Sequence, residues 1–111
     1  MDLILVKPEE FNVELEILYA TDRNFTNMAI YKNPICYIHK DMMNPLLSAI
    51  NIADKLGLKF KIFDAYRPVE AQWKFWEICP DPNYIADPKI GSPHNRGVAI
   101  DLTLIDKNGV E

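Results

Sequence analysis

Apolar and polar positions along the chain fall into short blocks separated by turn-forming residues. Val13-Glu14-Leu15-Glu16-Ile17 alternates apolar and acidic, as a half-buried strand does. A polar segment, Tyr19-Ala20-Thr21-Asp22-Arg23-Asn24-Phe25, follows it, and Ile35-Cys36-Tyr37-Ile38 is a second short strand candidate. Leu46, Leu47, Ile50, Ala53 and Leu56 recur at three- and four-residue steps, which predicts a helix. Asp41 or Asn44 is placed to cap it. Pro45 is tolerated in a first turn, where amide donors lack partners anyway. Gly57 stands where a left-handed C-terminal cap belongs.

Leu58-Lys59-Phe60-Lys61-Ile62-Phe63 alternates again, with both lysines on the solvent side. Asp64-Ala65-Tyr66-Arg67-Pro68 closes that strand and opens another helix, with Pro68 at its first position and Val69, Trp73 and Trp76 as its apolar stripe. Prolines at 80, 82, 88 and 93 make the next stretch a loop. Residues 98–104 form the last strand, with Ala99, Asp101 and Thr103 on one face and the larger apolar residues on the other. Asp106-Lys107-Asn108-Gly109 reads as a hairpin turn into Val110-Glu111.

Composition narrows the class. The chain of 111 residues is expected to form a single domain, α+β, with a small mixed or antiparallel sheet and helices packed on one side. A net charge of −4 gives no reason to expect a nucleic-acid partner. No stretch approaches the length of a membrane span, and the N-terminus lacks the basic start and long apolar core of a signal peptide, so no membrane partner and a cytoplasmic location are expected. Cys36 and Cys79 match no zinc-ribbon or redox spacing and are expected to be reduced thiols.

The chemistry concentrates in Ser92-Pro93-His94-Asn95-Arg96-Gly97-Val98-Ala99-Ile100-Asp101, an S-x-H-x-x-G-x-A-x-D pattern. His94 can offer a neutral imidazole nitrogen and Asp101 a hard oxygen, a pairing suited to a borderline divalent metal such as zinc. Taken alone, the same spacing also fits a loop histidine and a strand acid bonded to backbone. Arg67, taken alone, better fits an ion-pair partner of Asp64 or a helix-start residue. His39, a lone histidine before the first long helix, is expected to have a structural partner. Glu70 and Glu77 are expected to be solvated.

Together with Asp64-Ala65-Tyr66-Arg67-Pro68, Tyr19-Ala20-Thr21-Asp22-x-Asn24-Phe25 and Cys36-Tyr37-Ile38-His39-Lys40-Asp41, in that family's order, the pattern resembles the zinc D-alanyl-D-alanine dipeptidases of the VanX type. The resemblance implies the fold of hedgehog-like and D-Ala-D-Ala metallopeptidase domains. It implies zinc-dependent hydrolysis of the dipeptide D-Ala-D-Ala, in peptidoglycan precursor turnover. His94 and Asp101 would be ligands to a single zinc ion, Arg67 the stabiliser of the tetrahedral oxyanion, and Tyr19, Tyr31 and Ser92 the substrate pocket. The family also has a later E-x-x-H segment, which supplies the catalytic glutamate and a third ligand. These 111 residues contain none, so the domain is expected to be incomplete at its C-terminus. Three readings follow: a dipeptidase, an inactive remnant or half of a split enzyme completed by a companion polypeptide, and a non-catalytic zinc- or peptide-binding module.

Overall fold

The computed structural model describes residues 2–111. Its elements run β1 (Leu3–Leu5), α1 (Pro8–Phe11), β2 (Glu14–Leu15), β3 (Tyr37–His39), α2 (Met43–Lys55), β4 (Lys59–Asp64), α3 (Val69–Ile78) and β5 (Asp101–Ile105). The larger sheet has the order β2-β4-β5, with β2 parallel and β5 antiparallel to β4. A smaller sheet pairs β1 with β3 antiparallel. The architecture is therefore α+β with a small mixed sheet, as expected, and a second two-stranded sheet beside it. No helix is long and apolar enough to cross a membrane.

The core lies between these layers. Ile62 of β4 and Ile38 of β3 are wholly buried, and Leu46 and Ile50 of α2 join them. Each fully buried aliphatic side chain contributes roughly 1.5–3 kcal/mol. The expected stripe of α2 is correct at Leu46, Ile50 and Ala53, while Leu47 and Leu56 flank it and stay exposed. The cap differs from expectation. Neither Asp41 nor Asn44 caps α2; a 3-10 turn, Lys40–Met42, runs into it, and His39 caps that turn by accepting the Asp41 amide on Nδ1 at 3.1 Å. Gly57 does end the helix in the left-handed region, at φ +74°.

The second long helix shows its other face to the core. Ala71, Gln72 and Phe75 are buried, whereas Val69 and Trp73 are exposed and Trp76 is half-buried, so the stripe of Val69 and two tryptophans is corrected. The reason is polar: Arg67 needs an acceptor, and Gln72 supplies it from within the protein. Pro68 is the N-cap of α3, one position before the place expected for it. Lys61 is also less solvated than expected, since it lies against Glu16 of the neighbouring segment at 3.1 Å.

The strands are shorter than the alternation suggested, and β5 begins only at Asp101. Its pairing with β4 is regular from Lys59↔Ile105 to Ile62↔Leu102 and then shifts. An unbroken ladder would set Asp101 opposite Phe63; instead Asp101 stands opposite Asp64. After β5 the expected turn forms, with the Gly109 amide donating to the Asp106 carbonyl at 2.9 Å and the chain doubling back at Val110.

Candidate functional site

The register shift brings two carboxylates abreast at the end of β4 and the start of β5, and a third segment places His94 beside them. That segment is the 3-10 turn Pro93–Arg96. Ser92 caps it, accepting the His94 amide on Oγ at 3.2 Å, while Asn95 Oδ1 accepts the Ser92 amide at 2.9 Å. Gly97 then turns the chain at φ +73°. A Cβ there would lie 2.8 Å from the backbone nitrogen of His39, so both conformation and space require glycine. The turn is tied to the start of α3 by two bonds: the Arg67 amide to the His94 carbonyl at 2.8 Å, and Asn95 Nδ2 to the Arg67 carbonyl at 2.9 Å.

Within this frame His94 is oriented from both sides. Nδ1 lies 2.8 Å from the Ala65 carbonyl, an acceptor only, so this nitrogen carries the proton. Nε2 then faces Asp101 Oδ1 at 3.3 Å. Two donor atoms bound tetrahedrally to one zinc at about 2.0–2.1 Å are separated by about 3.3 Å. The pair thus has the donor chemistry, tautomer and separation that a shared metal needs.

Asp64, His94 and Asp101 form the one cluster of three such side chains among the described residues, with one ligand atom of each within 4.8 Å of the others. Asp64 was not singled out as a ligand from the sequence. Its oxygens are occupied: Tyr31 donates to Oδ1 at 2.7 Å, and Arg67 Nε and Nη2 both donate to Oδ2, at 3.1 and 2.8 Å. Asp64 is the anchor of Arg67 before it is anything else. The ion pair that a lone D-x-Y-R-P string suggests is therefore present, and it sits beside His94 and Asp101.

Arg67 is fixed in every direction. Phe75 and Tyr19 lie against the guanidinium with ring centroids 4.9 and 5.5 Å from its central carbon, and Gln72 Oε1 accepts from Nη1 at 2.9 Å. Three of its N–H groups are engaged, on Nε, Nη1 and Nη2. A guanidinium has five, so one on each terminal nitrogen stays free. Nη2 is 3.9 Å from Asp101 Oδ2, which places its free donor beside the His94–Asp101 pair.

Electrostatics follow this geometry. Burial pushes the Asp64 carboxyl up, opposed by Arg67, Tyr31 and His94. Burial also works against the charge on Arg67, but Asp64, with Tyr31 and Tyr19, outweighs it and the guanidinium is held above its ordinary range. With the imidazole charged, a hydrogen bond from His94 Nε2 holds Asp101 below the usual carboxylate range, against a smaller effect of burial. For His94, burial opposes the charge, and the bonds to Asp101 and the Ala65 carbonyl raise it nevertheless. Burial is also the main cause that raises the Tyr31 and Tyr19 phenols.

Of the residues singled out from the sequence, His94, Asp101 and Arg67 converge directly, although Arg67 is distant in the chain. Tyr31 reaches the site through Asp64, Tyr19 through the face of Arg67, and Ser92 by holding the turn that carries His94. His39 lies outside the cluster, with its ring nitrogen on the Asp41 amide. Glu70 and Glu77 are exposed. Gln72 and Phe75 were missed; the only signal was their place about one and two turns beyond the arginine. A cleft of about 350 Å³ opens between Tyr31, Tyr37, Tyr66 and Lys74, and neither His94, Asp101 nor Arg67 lines it.

Comparison with known proteins agrees with this geometry. The family profile described as D-ala-D-ala dipeptidase matches residues 4–110. The D-alanyl-D-alanine dipeptidase of Escherichia coli (strain K12) is 46% identical over 109 residues, which cover 98% of this chain and 55% of that protein. The chain therefore spans about half the length of the curated relative it matches. With a match over nearly all its residues, and an Asp/His/Asp cluster able to hold a metal at its centre, the chain belongs to the D-Ala-D-Ala dipeptidase family.

Proposed function

We propose that this chain forms the substrate-polarising half of a zinc-dependent site that hydrolyses D-alanyl-D-alanine. The observation that carries the reading is the 3.3 Å approach of His94 Nε2 to Asp101 Oδ1, with Nδ1 fixed by the Ala65 carbonyl and a free Arg67 donor alongside. When bound by His94 and Asp101, zinc supplies Lewis acidity, which polarises a carbonyl and acidifies a water. Arg67 directs its free N–H groups at the oxygen of the scissile amide as negative charge develops there, and its anchorage means that little reorganisation accompanies the reaction. Ser92 and Tyr19 border the space a dipeptide would occupy, and Tyr31 keeps Asp64 turned toward Arg67.

A general base must lie within reach of the attacking water. Among the described residues the only carboxylates in the cluster are Asp101, a ligand, and Asp64, held by three hydrogen bonds. We therefore assign the base and a third ligand to polypeptide corresponding to the part of the relative outside the match. Two donors leave the coordination sphere open, so the 111 residues alone bind zinc weakly and turn over negligibly. The test is release of D-alanine from D-Ala-D-Ala at saturating zinc, by the chain alone and with that companion segment added. Activity that appears on addition and is lost in His94→Ala supports the proposal. Turnover by the 111 residues alone, abolished by the same substitution, would overturn the need for a companion. Absence of turnover in both arms, with the companion shown to bind, would overturn the dipeptidase reading.

A further inference from the structure

We propose that Gln72 is a positioning residue that couples the aim of Arg67 to the order of the loop over residues 80–93. Gln72 is completely buried, unusual for an amide, and both of its ends are satisfied. Oε1 accepts from Arg67 Nη1 at 2.9 Å, and Nε2 donates to the Ala86 carbonyl at 2.9 Å. The orientation of the amide follows from chemistry alone: arginine only donates and a carbonyl only accepts. Glutamine is the right kind of residue for this place. Glutamate could serve the arginine but not the carbonyl, and methionine neither.

Each end controls something the site needs. Toward Arg67, Asp64 grips the Nε and Nη2 edge, while Tyr19 and Phe75 set the plane of the guanidinium. Gln72 holds the remaining corner, on Nη1, so all three nitrogens of the guanidinium are tethered. Toward the loop, Ala86 is the hinge between two compact turns. Asp81 closes the first, taking the Ile85 amide on its carbonyl and the Asn83 amide on its carboxylate. Asp87 closes the second in the same way, with the amides of Gly91 and Lys89. The second turn delivers Ser92, the cap of the His94 turn. One side chain therefore links the oxyanion donor, the loop and the entry to the metal strand. Loss of order in the loop frees Arg67, and loss of the arginine contact loosens the loop. Only the catalytic meaning of this coupling rests on the dipeptidase reading; the coupling itself does not.

The experiment uses the whole isotope-labelled chain and two readouts that need no turnover: the guanidinium NMR signals of Arg67, and tryptic cleavage after exposed Lys89, located by mass spectrometry. In the native chain, Arg67 should show separate, slowly exchanging Nη1 and Nη2 signals. Gln72→Met should average them and raise cleavage after Lys89 about fivefold, the scale of one lost hydrogen bond. Gln72→Glu should keep the separate guanidinium signals and still raise cleavage, which a space-filling role for Gln72 would not produce. Averaged signals in the native chain overturn the proposal whether or not either variant folds. So does a folded Gln72→Met chain with native signals and native cleavage. If D-Ala-D-Ala proves not to be a substrate, these readouts stand unchanged, so the two proposals fail separately.

Discussion

Asp64 and Asp101 stand opposite each other across β4 and β5, and both approach the same imidazole, yet they have different jobs. The Asp64 side chain is 2% exposed and accepts three hydrogen bonds; the Asp101 side chain is 53% exposed and has His94 as its close partner. The first already spends both oxygens on neighbours, Oδ2 on Arg67 and Oδ1 on Tyr31. The second keeps half of its side chain open to solvent. Proximity groups all three side chains into one cluster, but their hydrogen bonding divides them into a more open His94–Asp101 pair and an arginine anchor.

The largest effect should come from Asp64→Ala. It leaves the buried Arg67 charge without a partner, and such a loss costs about 3–5 kcal/mol. Urea denaturation measures it, and a loss under about 1 kcal/mol would mean that Arg67 finds another partner. Asp101→Asn should behave in the opposite way, changing the stability from the same denaturation by no more than about 0.5 kcal/mol, as expected of an exposed position. Calorimetric zinc titration should nonetheless show an affinity at least about 100-fold lower, because even outer partners of metal ligands can be worth that much. Equal zinc losses in Asp101→Asn and in a folded Asp64→Asn chain would make Asp64 a ligand after all.

Tyr31→Phe sharpens the division at one atom. It removes the donor to Asp64 Oδ1 and should cost about 1–2 kcal/mol of stability while leaving zinc affinity alone. A rise in zinc affinity would show Oδ1 recruited as a ligand once freed. The smallest effect concerns pH without metal. The depressed Asp101 contributes stability above its unfolded value, about 3.9, and loses it as pH falls through the folded value. The raised His94 contributes below its unfolded value, about 6.5, and loses it as pH climbs through the folded value. Their pair should therefore help the metal-free fold most between these limits and fade on both sides. Asp101→Asn should flatten that profile, and an unchanged profile would place the titration elsewhere.

What could be read from the sequence divides along the same line. His94, Gly97 and Asp101 lie within eight residues, and local turn and strand geometry is enough to bring them together. The long helix was legible from the spacing of Leu46, Ile50 and Ala53. Asp64 as part of the cluster was not, because strand alternation alone says nothing about a shift in pairing with a strand some forty residues away. The buried face of α3 was misjudged because size favoured its tryptophans, whereas the fold chose the residue that could accept from Arg67. Cys36 and Cys79 are free thiols, and burial pushes the Cys36 thiol up to about 12.

The shifted pairing between Ile62 and Asp64 has a consequence for transplantation. Copying S-x-H-x-x-G-x-A-x-D into another sheet would carry the imidazole and its neighbouring acid, but not the partner strand with its one extra residue. In a host with even pairing, Asp101 would meet the counterpart of Phe63, and the arginine anchor would fall out of step with the ligands. Length changes in β4 should accordingly be tolerated worse than most changes of side chain, since a single deletion realigns every contact beyond it. A motif search that scores residues without counting the opposing strand would rank such a graft as complete.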